Sequence, residues 1–296
     1  MRASACQKEH ALAHPDRFRR RAPALLGLLL PLASAVAGPA DRAGPPMATA
    51  EDFAQDVLAV PCDNDQRQAA VRALYERMGA NPADLRVERF SDRGGVENLV
   101  LVKPGRSPET IVIGAHYDKT GDGCGAVDNW TGQVAAARLY QTLRDVALEK
   151  TLVFVAFGRE EEGLVGSRAM ANAIPEDRLS TYCGMVNIDS LGLARPQVAD
   201  NMSTRPLLKL AVDVAKEMDI PFQHAALGRA NSDSSAFVAR SIPAVTLHGL
   251  DRNWMRVLHR REDQAAKINP ASVYLGYRMA LAMVARLDQA PCNAYR

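Results

Sequence analysis

The chain carries no surplus of charge of either sign. Its 36 Lys and Arg face 34 Asp and Glu, a net +2 over 296 residues. Four of the arginines, Arg17, Arg19, Arg20 and Arg21, crowd into one N-terminal stretch. This balance excludes the basic stripe by which a nucleic-acid-binding face is recognised. A bilayer-spanning run is missing too: the apolar stretch 22–37 falls short of the roughly 20 residues a transmembrane helix needs. No C-x-x-C pair marks a zinc knuckle, no internal repeat points to a solenoid, and there is no low-complexity tract beyond residues 38–48. What is left is a chain with an ordinary apolar fraction, 47%, long enough for one large α/β domain.

The N-terminus reads as an export signal. The arginine cluster precedes the apolar run, which ends in Ala35-Val36-Ala37, the small-x-small pattern of a signal-peptidase site. We expect residues 1–37 to be the signal, 38–48 a flexible leader rich in Pro, Gly and Ala, and 49–296 the catalytic domain. The segment ahead of the run is long and includes Glu9 and Asp16, which points to a start codon downstream of Met1. A start at Met47 would instead give a cytosolic chain. The expected product is secreted or periplasmic, without stable membrane insertion after cleavage. Cysteine usage agrees: with Cys6 in the signal, Cys62, Cys124, Cys183 and Cys292 remain, an even number suited to disulfides. Cys62 and Cys292 follow the first and last expected helices, and Cys124 and Cys183 flank strand ends. The expected pairs are therefore Cys62–Cys292 and Cys124–Cys183.

Helical spacing covers 51–60 and 65–78, with Thr49 as N-cap and Gly79 as stop. Residues 85–90 and 96–102 read as a hairpin turning at Asp92-Arg93-Gly94-Gly95. Apolar strands then alternate with helices: strand 110–115, helix 129–146, strand 151–157, helix 165–172, strand 183–188, helices 206–218 and 232–240, strand 244–247 and helix 271–287. This order predicts a mixed, largely parallel central sheet with helices on both faces, in a single α/β domain.

In such sheets, sites form beyond the carboxyl ends of the strands. His116 and Asp118 end the first parallel strand, on the same face because they sit at i and i+2. Asp128 follows in a glycine-rich loop. Gly158-Arg159-Glu160-Glu161-Glu162-Gly163 follows the second strand, Asp189 the third and His248 the last, with His259 eleven residues further on. Imidazoles and carboxylates converging at one sheet edge form a donor set suited to Zn²⁺.

The motifs Gly114-Ala115-His116-Tyr117-Asp118, Gly125-Ala126-Val127-Asp128-Asn129, Glu160-Glu161-x-Gly163-x-x-Gly166-Ser167, Asn187-Ile188-Asp189-Ser190 and Leu258-His259-x-x-x-Asp263 occur together and in one order. Over about 111–270 the chain resembles the co-catalytic two-zinc exopeptidases of the bacterial leucyl aminopeptidase type, whose relatives include glutamate carboxypeptidase and glutaminyl cyclase. The resemblance implies two Zn²⁺ ions bridged by Asp128, one completed by His116 and Asp189, the other by Glu161 and His259. It implies Glu160 as general base and Asp118 as the carboxylate that orients His116. Gly163 fixes the register and leaves Glu162 in the variable, solvated place. One departure is visible: many relatives carry an Asp-His pair in the segment that here reads Ser232-Asp233-Ser234-Ser235.

Other residues read more plainly. His224 is expected at the surface or in packing, and Trp130 beneath the site. His248 is a candidate for substrate binding or for supporting the ligands. Arg252, Arg256, Arg260 and Arg261 form a solvated basic run, although one could clamp a substrate carboxylate. Asn129 and Asn201 begin formal glycosylation sequons, the first where a glycan would block the site. The expected activity is removal of N-terminal residues from peptides. Glutaminyl cyclisation and carboxypeptidase action are alternatives on the same fold, and a binding-only domain would have lost ligands, which this chain keeps. Leu258 stands where a tryptophan is expected in the cyclases.

Overall fold

The computed structural model describes residues 47–296, Arg229 excepted; the signal and most of the leader expected from the sequence lie outside the described residues. Helix α1 (Ala50–Leu58) begins at a capping box: Thr49 Oγ1 accepts the Asp52 N–H, and the Asp52 carboxylate accepts the Thr49 N–H. Helix α2 (Asn64–Arg77) is capped by Asp63 and stops before Gly79, whose φ of +91° continues no helix. The hairpin is β1 (Leu85–Phe90) and β2 (Val96–Lys103). After it come β3 (Thr110–His116), α3 (Thr131–Leu143), β4 (Thr151–Phe157), α4 (Val165–Ala173) and β5 (Tyr182–Ile188). The chain ends with β6 (Gln197–Ala199), α5 (Arg205–Glu217), β7 (Gln223–Ala225), α6 (Ser234–Val238), β8 (Ala244–His248) and α7 (Pro270–Gln289). The expected α/β class and mixed sheet hold, and the expected elements appear in order, with the three-residue strands β6 and β7 added between them. The expected helix from residue 129 starts two residues later, because residues 126–130 form a separate wide turn.

The sheet has eight strands in the order β1-β2-β4-β3-β5-β8-β6-β7. Its centre, β4-β3-β5-β8, is parallel; β1, β2 and β6 attach antiparallel, and β7 runs parallel to β6. Strand β3 is buried along its whole length. Its side chains alternate between faces: Ile111 and Ile113 pack into the larger core, with residues of α1, α2, α3, α5 and α7, while Val112 packs into the smaller one, with residues of α4 and α6. A strand covered on both faces has no polar side, which explains its uninterrupted apolar run. The four central strands end at one edge, and registers such as His116 opposite Phe157 and Ile188 opposite Leu247 bring their C-termini level.

Both disulfides form, but not in the expected pairs. They are Cys62–Cys124 and Cys183–Cys292. Cys183 is the second residue of β5, at the start of a parallel strand, whereas Cys124 lies beyond the end of β3. The two therefore sit at opposite edges of the sheet, and no loop brings them together. Cys292, after α7, returns to the edge where Cys183 lies. Cys62, just before α2, meets the loop after β3 because that helix begins against it. Among the described residues, no helix is long and apolar enough to cross a membrane.

Candidate metal centre

Four strand ends deliver the five expected ligands: His116 and Asp128 follow β3, Glu161 follows β4, Asp189 β5 and His259 β8. His116 closes β3 and is buried. Asp128 sits in the wide π-helical turn 126–130 that leads into α3, with a cis peptide to Asn129. Gly125 opens that turn at φ +57°, where a Cβ would stand 2.6 Å from Lys119 Cβ and 2.7 Å from the Asp128 carbonyl. Only glycine fits so close an approach in a left-handed conformation.

His116 Nε2 lies 3.0 Å from Asp128 Oδ1 and 3.5 Å from Asp189 Oδ1. His259 Nε2 lies 3.1 Å from Asp128 Oδ2 and 3.0 Å from Glu161 Oε2. Asp128 thus stands between two imidazoles, one oxygen toward each, the position a bridging carboxylate would take. Donor atoms of His116, Asp128 and Glu161 all fall within 4.8 Å of one another. Glu161 Oε1 is buried with no hydrogen-bond partner among the described residues, an acceptor that suits a cation. His259 adopts a left-handed backbone, φ +59°, a costly conformation for a non-glycine residue that recurs at functional sites.

The electrostatics reflect crowding of acids. Burial pushes the Glu161 carboxyl up, as does Asp128, and burial pushes Glu160 well above the usual range, with Asp233, Asp189 and Asp128 adding to it. Burial opposes charge on His116, yet Glu160 and the surrounding aspartates hold its pKa well above the ordinary value. Hydrogen bonds to Asp128 and Glu161 lift His259 to about 10. Burial would raise Asp128, but the two imidazoles hold it below the ordinary range. The cluster demands positive charge.

Glu160 lines the same cleft as Asp128, Glu161 and Asp189. Glu162 is exposed and pairs with Arg159 at 2.6 Å, the solvated place expected for it. Asp118 acts through two groups. Its carbonyl accepts from His116 Nδ1 at 3.1 Å, while its carboxylate stands 3.7 Å from that nitrogen, too far for a hydrogen bond. The carboxylate instead accepts the Glu160 N–H at 2.9 Å and the Glu161 N–H at 3.1 Å. It fixes the turn that presents both glutamates.

Several supporting residues were not singled out from the sequence. Asp263 accepts the Val127 and Asp128 N–H groups at 2.6 and 3.2 Å and so fixes the turn from outside; it closes the Leu258-His259 motif, which was the available signal. Ser232 Oγ donates to Asp189 Oδ2 at 2.5 Å, and Ser190 Oγ to Asp189 Oδ1 at 3.0 Å. Asn129 is fully buried, accepting from the Gly132 and Ser190 N–H groups and donating to the Ile188 carbonyl. Its sequon is therefore closed to glycosylation. Asn201, of the other sequon, holds the Leu227 N–H and Ala230 carbonyl beside the cleft. Ser234 Oγ donates to the Met202 carbonyl and lies 2.6 Å from Thr246 Oγ1. Trp130 is buried and donates to the Asp56 carbonyl. His224 is exposed against Asp200.

The cleft over the site has a volume of about 510 Å³. Acids form its floor; Met202, Leu227, Leu250, Trp254, Met255 and Leu258 form its walls, and His248 also lines it. His248 is buried, with Nδ1 accepting the Leu250 N–H at 3.2 Å, and burial holds its pKa down to about 4. None of Arg252, Arg256, Arg260 and Arg261 is among the lining residues.

Residues 98–284, more than half of the chain, match peptidase family M28. The chain belongs to this family. It is 27% identical over 204 residues to leucine aminopeptidase 1 of Trichophyton rubrum, an alignment covering 60% of this chain and 54% of that protein; it spans about half the length of the curated relatives it matches. In fold it resembles the LapA aminopeptidase of Legionella pneumophila, with a TM-score of 0.67 and 19% identity over 82% of this chain and 72% of that one. It also resembles a glutaminyl cyclase from an Acidobacteriales bacterium, with a TM-score of 0.70 and 18% identity over 85% of this chain and 98% of that one. At these identities the structural likeness establishes a shared fold, and membership of the family rests on the match over residues 98–284.

Proposed function

We propose that this chain is an exported zinc-dependent aminopeptidase that removes N-terminal residues from peptides, with residues 1–37 as its export signal and 49–296 as its catalytic domain. The observation that carries the reading is the convergence of His116, Asp128, Glu161, Asp189 and His259 beneath an apolar cleft, with a buried Glu161 oxygen lacking any partner. This donor set suits two Zn²⁺ ions: Asp128 would serve both, His116 and Asp189 one, Glu161 and His259 the other. Bound zinc would supply Lewis acidity and make water acidic enough to attack near neutral pH.

The chain's own residues do the rest. Glu160, held in place through its N–H by Asp118, would take the proton of the attacking water and return it to the leaving amine. The apolar lining around Leu227, Trp254 and Leu258 would accept a large apolar first residue. His248, its Nδ1 occupied by the Leu250 N–H, would offer Nε2 to the substrate. Two disulfides among the described residues support an oxidising compartment.

Peptides bearing leucine or phenylalanine at a free N-terminus test the reading, with products read by mass spectrometry. Loss of the first residue, abolition by N-acetylation, inhibition by a chelator and recovery with zinc are the expected results. Release of ammonia from N-terminal glutamine, as the α-amine displaces the side-chain amide nitrogen and no peptide bond is cleaved, would make the chain a cyclase. Turnover of an acetylated peptide from its C-terminus would make it a carboxypeptidase, against which stands the absence of the basic run from the cleft lining.

A further inference from the structure

Helix α2 lies outside the residues that match the family, yet its first turns are built against the loops that carry the candidate ligands. Asn64, Arg67 and Gln68 fall at i, i+3 and i+4, one face of a helix. Asn64 grips Lys119 twice: Nδ2 donates to its carbonyl at 2.9 Å and Oδ1 accepts its N–H at 3.1 Å. Arg67 is fully buried, and its guanidinium donates only to main-chain carbonyls. Nε reaches Tyr117; Nη1 reaches Pro61 at 3.1 Å and Cys124 at 2.9 Å; Nη2 reaches Gly125 at 3.1 Å. Trp130 packs beside it, its ring centroid 5.9 Å from the guanidinium carbon. Tyr117 follows His116, and Gly125 precedes the turn that presents Asp128, so one side chain ties together the two ends of the loop between these ligands.

Electrostatics and geometry make opposite demands here. A buried cation near Asp118, Asp128 and Glu161 repels a second cation, so charge alone would have Arg67 weaken metal binding. The rigid guanidinium fork instead freezes the main chain between the two ligands, which would strengthen it. Groups that orient metal ligands typically contribute about 10- to 100-fold in affinity, and four carbonyls held by one fork place this residue in that class. We propose that Arg67 is a positioning residue, locking the loop between His116 and Asp128 into ligand geometry and so setting how tightly the site retains its metal. The inference rests on the reading of the site as a metal centre.

The test is zinc affinity of the purified full chain, measured by competition with a chelating indicator and needing no turnover. Arg67→Met should bind zinc about 10- to 100-fold more weakly. Arg67→Lys keeps the charge but loses the fork, and should also weaken binding by about tenfold or more. Val71→Ala, one turn further along α2 and fully buried in the core, should lower Tm while leaving zinc affinity unchanged, which separates positioning from general destabilisation. Equal or tighter binding by Arg67→Met overturns the proposal, as does wild-type affinity in Arg67→Lys or a loss in Val71→Ala matching that in the Arg67 variants. Should Arg67→Met fail to fold, Arg67→Lys decides by the same criterion. A wild-type chain that binds no zinc would instead defeat the metal-centre reading itself.

Discussion

Two adjacent glutamates are assigned different work, and substituting each by glutamine separates them. The turn that carries them is held from below: the Asp118 carboxylate accepts both N–H groups at 2.9 and 3.1 Å. Neither substitution touches that anchor, so the main chain should stay in place and each variant should report on its own side chain. Glu160→Gln keeps the size and removes the proton acceptor. General-base catalysis is typically worth about 10²–10⁴-fold, equivalent to about 3–5 kcal/mol of barrier. A fall of that size in kcat is expected, with KM little changed and zinc content as in wild type. Glu161→Gln replaces the anion whose Oε2 lies 3.0 Å from His259 Nε2 and whose other oxygen is buried without a partner. A neutral amide oxygen is a weaker donor, so zinc content and activity should fall together, and His259→Ala should behave the same way. Turnover of a leucyl peptide beside metal analysis of desalted protein decides the matter. If Glu160→Gln loses metal while Glu161→Gln keeps it, the register of the pair is off by one and the roles exchange.

Non-reducing peptide mapping should recover Cys62–Cys124 and Cys183–Cys292. For separations of 62 and 109 residues, loop-closure entropy gives each bond about 4–5 kcal/mol as an upper expectation; serine at both Cys183 and Cys292 should lower Tm yet spare metal content, because that bond lies at the far edge of the sheet. His248 tests acid stability. Its folded pKa of about 4 lies below the ordinary 6.5, so the unfolded chain binds more protons between these values, and the contribution is present above pH 6.5 and lost as pH falls toward 4. His248→Gln should therefore reduce the stability lost between pH 7 and pH 5 by about 2 kcal/mol in urea titrations, and an unchanged loss would contradict the burial argument. Gly132→Ala sets helix propensity, a gain of about 1 kcal/mol, against a Cβ placed 2.3 Å from Asn129 Oδ1 and 2.4 Å from the Ile188 carbonyl. Overpacking of this kind costs about 1–3 kcal/mol, so a net loss of Tm is expected, and a rise would show that Asn129 can give way.

What could be read from the sequence, and what could not, divides along a physical line. Strands β3, β4, β5 and β8 are long apolar runs, and the rule that sites lie beyond parallel strand ends was enough to gather His116, Glu160, Glu161, Asp189 and His248 at one edge before any coordinates. Strands β6 and β7 have three residues each, too few to show a period, and they were missed. The disulfides were mispaired because distance along the chain does not say at which edge of a sheet a cysteine emerges; the start of β5 and the end of β3 look alike as apolar boundaries. The carboxylate of Asp118, the amide of Asn129, Asp263 and Arg67 share a further reason. Each of them bonds to main-chain N–H or carbonyl groups, and every residue but proline offers both, so the partner leaves no mark on the sequence. Ligands must be particular residue types, and type is what a sequence records. The supports that fix the ligand loops are defined by where the main chain passes. A family match that begins at residue 98 can therefore contain every candidate ligand and still omit α2, whose Asn64 and Arg67 hold the loop that joins two of them.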